Sequence, residues 1–217
     1  MQAQRRRTAL RPAMVGALAV ALAACAQMPR GPGSTAVSAP QAAAPHPDAR
    51  AHAIDPVHTR IVISIDHAGF SSAIGTVSGS TGTLHLVPES WEGAHVAVDI
   101  PLDRLDFGDD DWNRAVAAGG LLDTGRHPTA HFRSTRVDAL DPRRARIHGE
   151  LTLRGTTREV VLDAVRNGER RHPLPPFRPT VGFSATATLS RADFGSTAWG
   201  SVIGDAVDVR IELEATR

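Results

Sequence analysis

The sequence predicts an all-β protein, an extended antiparallel barrel of about eight strands with one short helix set between strands. Three observations predict it. Apolar and polar residues alternate with a period of two from Ile54 to the C-terminus. Clusters of glycine, proline and aspartate punctuate the alternation. One stretch alone, "DDDWNRAVAAGG", breaks into helical grammar. A sandwich satisfies the same pattern, but closure removes edge strands, so the barrel is preferred.

The first element is not fold. Residues 1–24 open with Arg5, Arg6, Arg7 and Arg11, then run apolar from about Ala13 to Leu22. That is the layout of a signal peptide, too short for a comfortable membrane span of roughly 20 apolar residues. It ends in "LAAC", Leu22 to Cys25, similar to the lipobox of bacterial lipoproteins, whose cysteine is acylated. "AACAQ" also offers a conventional cleavage site, so a plain secretory signal stays open as the alternative. The lipoprotein reading makes Cys25 a lipidation site and the membrane a partner. Ala26 lacks the aspartate associated with inner-membrane retention, which favours the outer membrane, on the periplasmic face. A soluble periplasmic protein is the other destination.

Residues 25–50 are rich in proline, alanine and glycine without apolar period, as in a tether. The expected domains are thus 1–24, 25–50 and a barrel over 51–217. Without residues 1–24, four arginines are lost and 20 basic residues face 23 acids, a balance of −3 with histidine neutral. That charge makes no case for nucleic acid.

The strands follow in order. "HTRIVISIDH" sets Thr59, Ile61, Ile63, Ile65 and His67 on one face. Leu84 and Leu86 share a face, as do Val96, Val98, Ile100 and Leu102. The helical stretch starts on aspartates fit to cap it and ends at Gly119 and Gly120, with Trp112, Ala115 and Val116 toward the sheet. "IHGELTLRGTTREVVLDAV" reads as two strands and a turn, with Ile147, Gly149, Leu151 and Leu153, then Val160, Leu162 and Ala164, inward. A proline-rich loop is expected over 167–179. Val181, Phe183, Ala185, Ala187 and Leu189 form the next inward face, and Val207, Val209, Ile211 and Leu213 the last. Arg191 and Asp193 are expected as same-face neighbours before a tight turn at Gly195.

The chemistry is sparse. All basic residues are arginine, which excludes Schiff-base and P-loop lysines. One cysteine excludes an intrachain disulfide and a CxxC zinc site. There is no HExxH and no GxSxG, so the sequence supplies no metal site, no cofactor and no catalytic residues, and an enzyme is not expected. What it supplies is wall material. Aromatics are 4% and many inward residues are small (Gly149, Ala164, Ala185, Ala187), which would leave a lumen unfilled. A barrel packed solid with side chains satisfies the same periodicity.

Six ordered blocks carry a resemblance: "IDPVHTRIVISIDH", "GTVSG", "LLDTGRHPTAHFRSTRV", "IHGELTLRGTTREVVLDA", "GFSATATLSRADFG" and "IGDAVDVRIELEA". Together, from about His52 to Glu214, they resemble the YceI family of bacterial periplasmic, lipocalin-like proteins. The resemblance implies an eight-stranded barrel with a helix and a long apolar tunnel for polyisoprenoid or fatty-acyl lipids. On that basis the expected lining is Ile61, Ile63, Ile65, Val98, Ile100, Phe132, Leu151, Leu153, Leu162, Phe183, Ala185, Val209 and Ile211, with His58 and His67 at the ligand's polar head. Ala53, Val77 and the segment 109–123 depart from the family pattern and imply a wider tunnel or a shifted mouth. The expected function is lipid binding at the cell envelope, as carrier, store or sensor. The alternative is a ligand-free envelope stress or interaction module working through its loops. A homodimer is compatible with either.

Overall fold

The computed structural model describes residues 46–217. The readings of residues 1–24, of Cys25 and of most of the tether lie outside the described residues.

Eight long strands close into an antiparallel barrel, and three of them are broken once. The first long strand is β1 (Arg50–Ile54) followed by β2 (Arg60–His67). The second is β3 (Ser71–Val77) followed by β4 (Thr81–Leu86). The third is β5 (His95–Pro101) followed by the two-residue β6 (Leu105–Asp106). The unbroken strands are β7 (Thr129–Ala139), β8 (Arg144–Leu153), β9 (Thr156–Arg171), β10 (Pro179–Ser190) and β11 (Ile203–Thr216). Each long strand pairs with the next, and β11 returns to pair with both β1 (Ala53 opposite Thr216) and β2 (Ile61 opposite Ile211). Closure leaves no long free edge.

The three breaks have local causes. Pro56 cannot donate to a ladder. Beside it, Asp55 Oδ1 accepts the Val57 and His58 amides at 2.8 and 3.2 Å, which turns the chain. Gly79 takes φ +78° and donates to the Pro56 carbonyl at 3.2 Å. A 3₁₀ turn over Leu102–Arg104 buries Leu102. At Gly82, φ is +151° and an added Cβ would fall 2.0 Å from the Ala97 carbonyl oxygen, so only glycine fits.

The helix α1 (Asp110–Ala117) connects the third long strand to β7. Asp109 caps it, accepting the Asp111 and Trp112 amides at 2.9 and 3.0 Å. Among the described residues no helix is long and apolar enough to cross a membrane.

The expected loop over 167–179 is shorter than read. β9 continues through Arg171, and only 172–178 leave the sheet. The charged run Glu169–Arg171 hid the strand, because both of its faces are exposed there and no apolar alternation marks it. The expected same-face pair Arg191 and Asp193 also differs: β10 stops at Ser190, and a 3₁₀ turn over Ala192–Phe194 follows, closed by Gly195 at φ +74°.

The barrel therefore has two ends. The helix end gathers α1, the β2–β3 turn, the β8–β9 turn and the β10–β11 loop. His67 and Trp112 rings lie 5.3 Å apart there, and Arg154 donates to the Gly119 carbonyl at 3.0 Å. The opposite end gathers the start of β1 and the β4–β5, β7–β8 and β9–β10 connections. It buries Val181, Ala215, Leu86, Ile54 and Trp91. Full burial of such aliphatic and aromatic side chains contributes about 1.5–3 kcal/mol each.

Candidate functional site

The inward faces do not fill the barrel. They enclose a cavity of about 380 Å³ that is lined by residues from Trp91 at one end to Trp112 and Trp199 at the other. That volume falls within the roughly 300–1,000 Å³ of small-molecule sites. Its wall is the period-two pattern made solid: Ile61, Ile63 and Ile65 from β2, Val98 and Ile100 from β5, Phe132 from β7, Leu151 and Leu153 from β8, Leu162 from β9, Phe183 and Ala185 from β10, and Val209 and Ile211 from β11. An apolar enclosure of this kind gains nothing from water and favours an apolar guest.

Ala164, Ala185 and Ala187 contribute small side chains to the lining. Gly149 does not, contrary to expectation. A Cβ there would lie 2.5 Å from Phe132 Cζ and 2.6 Å from the Arg133 carbonyl oxygen. Gly149 is the seat of the Phe132 ring, not open lumen. Gly75 seats Phe107 in the same way, with the ring 2.9–3.0 Å from the position of an added Cβ.

The two expected head-group histidines separate. His67 lines the cavity beside Trp112. His58 is not in the lining, and this corrects its placement. It is exposed within the β1–β2 break, where Asp55 Oδ2 meets its Nδ1 at 2.9 Å. That hydrogen bond, with the carboxylate charge behind it, raises the His58 pKa above its ordinary value. Asp55, His58 and Glu214 bring ligand atoms within 4.8 Å of one another, a geometry that would admit a cation. Their mutual hydrogen bonding and ordinary chain-turning role account for the cluster as it stands.

A histidine that the sequence reading passed over takes the interior place. His95 lines the cavity, and its Nδ1 lies 2.9 Å from Ser134 Oγ, which accepts the Val96 amide at 2.9 Å. Burial, followed by the neighbouring His85 and Arg133, lowers its pKa, so the ring is held neutral. Ala94, His95 and Val96 all line the cavity in succession, so alternation fails there and no periodic signal marks the residue. Two further polar groups in the lining, the buried Ser80 Oγ and Trp91 Nε1, have no hydrogen-bond partner among the described residues.

Arg191 is the other residue whose role lay outside the sequence pattern. It lines the helix end of the cavity and is buried. Its guanidinium donates to four backbone carbonyls: Gly204 at 2.8 Å, Ser196 at 2.6 Å, Ala198 at 2.9 Å and Ile203 at 2.9 Å. One side chain thus ties the whole β10–β11 loop, including Trp199, to the barrel rim. The fork of arginine suits this, since its donors are fixed in a plane.

The fold and this site define a class: a closed, lipocalin-like antiparallel barrel with a single helix and an apolar interior cavity. Within that class the chain belongs to the YceI family, since the YceI-like domain matches residues 52–215. The chain is 29% identical over 160 residues to a UPF0312 protein of Pseudomonas savastanoi pv. phaseolicola, covering 74% of this chain and 82% of the relative. It is 30% identical over 160 residues to a UPF0312 protein of Pseudomonas putida, with the same coverage. Among solved structures it is similar to BcnA of Burkholderia cenocepacia, with TM-score 0.67, 18% identity, and 75% of this chain and 99% of that one covered. It is also similar to a polyisoprenoid binding domain from Saccharophagus degradans, with TM-score 0.57, 12% identity, and 76% and 97% covered. At these identities the solved structures establish the fold.

Proposed function

We propose that this protein is a binding protein that holds one long apolar lipid, of polyisoprenoid or fatty-acyl type, along the barrel axis, and that it works at the bacterial cell envelope as carrier, store or sensor. The observation that carries the reading is the cavity itself, apolar along the barrel and bounded at both ends by tryptophan. The similar domain from Saccharophagus degradans, described as polyisoprenoid-binding, supports the ligand class. Each methylene moved from water contributes about 0.8 kcal/mol, so ten contribute ~8 kcal/mol before ordering costs. Ile61, Ile63, Val209 and Ile211, paired across β2 and β11, meet the chain of the lipid in this reading. His67 and His95 offer ring nitrogens to its polar atoms.

The signal-like residues 1–24 and Cys25 support a tether to the outer membrane through an acylated cysteine. Intact mass of the mature protein tests it: an acyl mass increment on a chain beginning at Cys25 is expected, and an unmodified mature chain refutes the anchor.

Solvent extraction of the purified protein followed by mass spectrometry tests the cavity. A stoichiometric apolar lipid is expected. Replacing Ala187 by Leu fills lumen rather than packed core. It is expected to change stability by less than about 1 kcal/mol while removing the extracted lipid. No lipid in the parent chain, with no saturable uptake of a fluorescent polyprenyl probe, ends the proposal.

A further inference from the structure

The end of the barrel opposite the helix carries a feature unrelated to the cavity. The β9–β10 connection projects Leu174 and Phe177, which are 64% and 51% exposed. Val57, 66% exposed, adjoins it, because the neighbouring His58 ring lies 6.4 Å from that of His172. Large apolar side chains held in water at one place cost free energy unless something covers them. Three exposed arginines, Arg170, Arg171 and Arg178, flank them. Glu169 is the one acid in 169–178, so the segment carries a net +2 with His172 neutral. At the adjoining break Asp55 and Glu214 are partly offset by Arg60, which leaves the patch at +1. Arg171 reaches the Phe177 carbonyl at 3.3 Å, and prolines at 173, 175, 176 and 179 restrict the backbone, so the tip is preset. The chain preceding the barrel arrives at this same end, where His46 packs against Gly93 ahead of β1.

We infer that this tip docks on an anionic lipid surface, with Leu174 and Phe177 entering the acyl boundary and Arg170, Arg171 and Arg178 meeting the head-group phosphates. Apolar anchors inside a basic ring are the arrangement such surfaces select. The helix end also exposes apolar groups, Phe70, Trp199 and Trp112, but Trp112 shares α1 and its cap with Asp109, Asp110 and Asp111 against Arg114 alone, an acidic balance that anionic lipid repels. The inference goes beyond the cavity reading and does not need Cys25 to be acylated.

The test uses the full chain with Cys25→Ser, with and without Phe177→Trp, and vesicles of phosphatidylethanolamine and phosphatidylglycerol with or without brominated acyl chains. The fluorescence added by the new tryptophan is expected to shift blue and to lose at least half its intensity on brominated vesicles. All chains share residues 1–45, so this increment belongs to the tip. Its affinity is expected to fall about fivefold for each of Arg170→Gln, Arg171→Gln and Arg178→Gln. Quenching confined to the tryptophans of the parent chain, and lost with Trp112→Phe and Trp199→Phe, would place the helix end on the membrane and overturn the inference. So would an unquenched increment, or a dimer seen by sedimentation that Leu174→Ser with Phe177→Ser dissolves while co-sedimentation with the vesicles is unchanged. Lipid extraction reads the cavity separately, so failure of either idea is distinguishable.

Discussion

Each end of the barrel buries one arginine with no carboxylate in salt-bridge range among the described residues, yet the two are held differently. At the helix end Arg191 is enclosed by four carbonyl oxygens. At the opposite end the Arg166 guanidinium lies 4.9 Å from the Trp91 ring centroid and 5.9 Å from that of Phe183. Among the described residues it donates one hydrogen bond, to the Ser90 carbonyl at 2.7 Å, and its Nε has no partner. Burial lowers the Arg166 pKa, while Glu169 and Glu89 oppose the shift. The difference teaches that Arg191 is a structural clamp whose charge is spread over loop dipoles. Arg166 is a flat cover over an aromatic floor, held as much by ring faces as by hydrogen bonds.

The same substitution at both ends breaks this comparison most sharply. Arg191→Met strands one buried and three partly buried carbonyls and is expected to cost about 3 kcal/mol in urea unfolding. A loss under about 1 kcal/mol there would dissolve the distinction. Between the ends, Gly149→Ala is expected to cost about 2 kcal/mol, because the Phe132 ring can swing toward the cavity but the Arg133 carbonyl, 2.6 Å from the new Cβ, is fixed backbone. Arg166→Met keeps the apolar contact with Trp91 and Phe183 and removes a poorly satisfied charge. It is expected to shift stability by about 1 kcal/mol or less, in either direction.

The smallest effect is a pH dependence that belongs to the end opposite the helix. Burial lowers the pKa of both His52 and His95 from the ordinary 6.5. Their folded forms stay neutral while the unfolded chain takes up protons, so stability falls as pH drops through about 6.5. His58 works in the opposite sense. Its raised pKa contributes stability that is present at low pH and lost as pH rises through the folded value. Being exposed, it offsets little. A fall of about 2–4 °C in Tm between pH 7.5 and 5 is expected, reduced by His95→Asn. Hydrogen exchange that quickens at the β4–β5 end before the helix end would sharpen the assignment. A Tm unchanged by His95→Asn would remove it.

How much of this was legible follows from where alternation holds. Ile61, Ile63 and Ile65 were readable because an unbroken strand fixes a face every second residue. The same holds for Leu151 with Leu153 and for Val209 with Ile211. His58 was misplaced because Pro56 breaks the strand ahead of it, and the period does not carry across the break. Gly149 was read as space because a sequence does not show that the Phe132 ring leans over it. Trp91, Trp199 and Arg191 sit in turns, where neighbours in space come from distant segments and no local period exists. The start of the helix was legible from Asp109, since capping is a local hydrogen-bond matter, but its end was not: α1 stops at Ala117 with Ala118 extended, ahead of Gly119 and Gly120.

By itself the sequence determined the all-β class, the near count of long strands, the capped helix and the apolar character of one face. Each of these depends on interactions within a few residues along the chain. Only the tertiary structure decided that the faces enclose a cavity, which histidine enters it, and what two unpaired arginines hold. Those outcomes depend on how strands far apart in sequence meet when the barrel closes, and local propensity does not encode that distance.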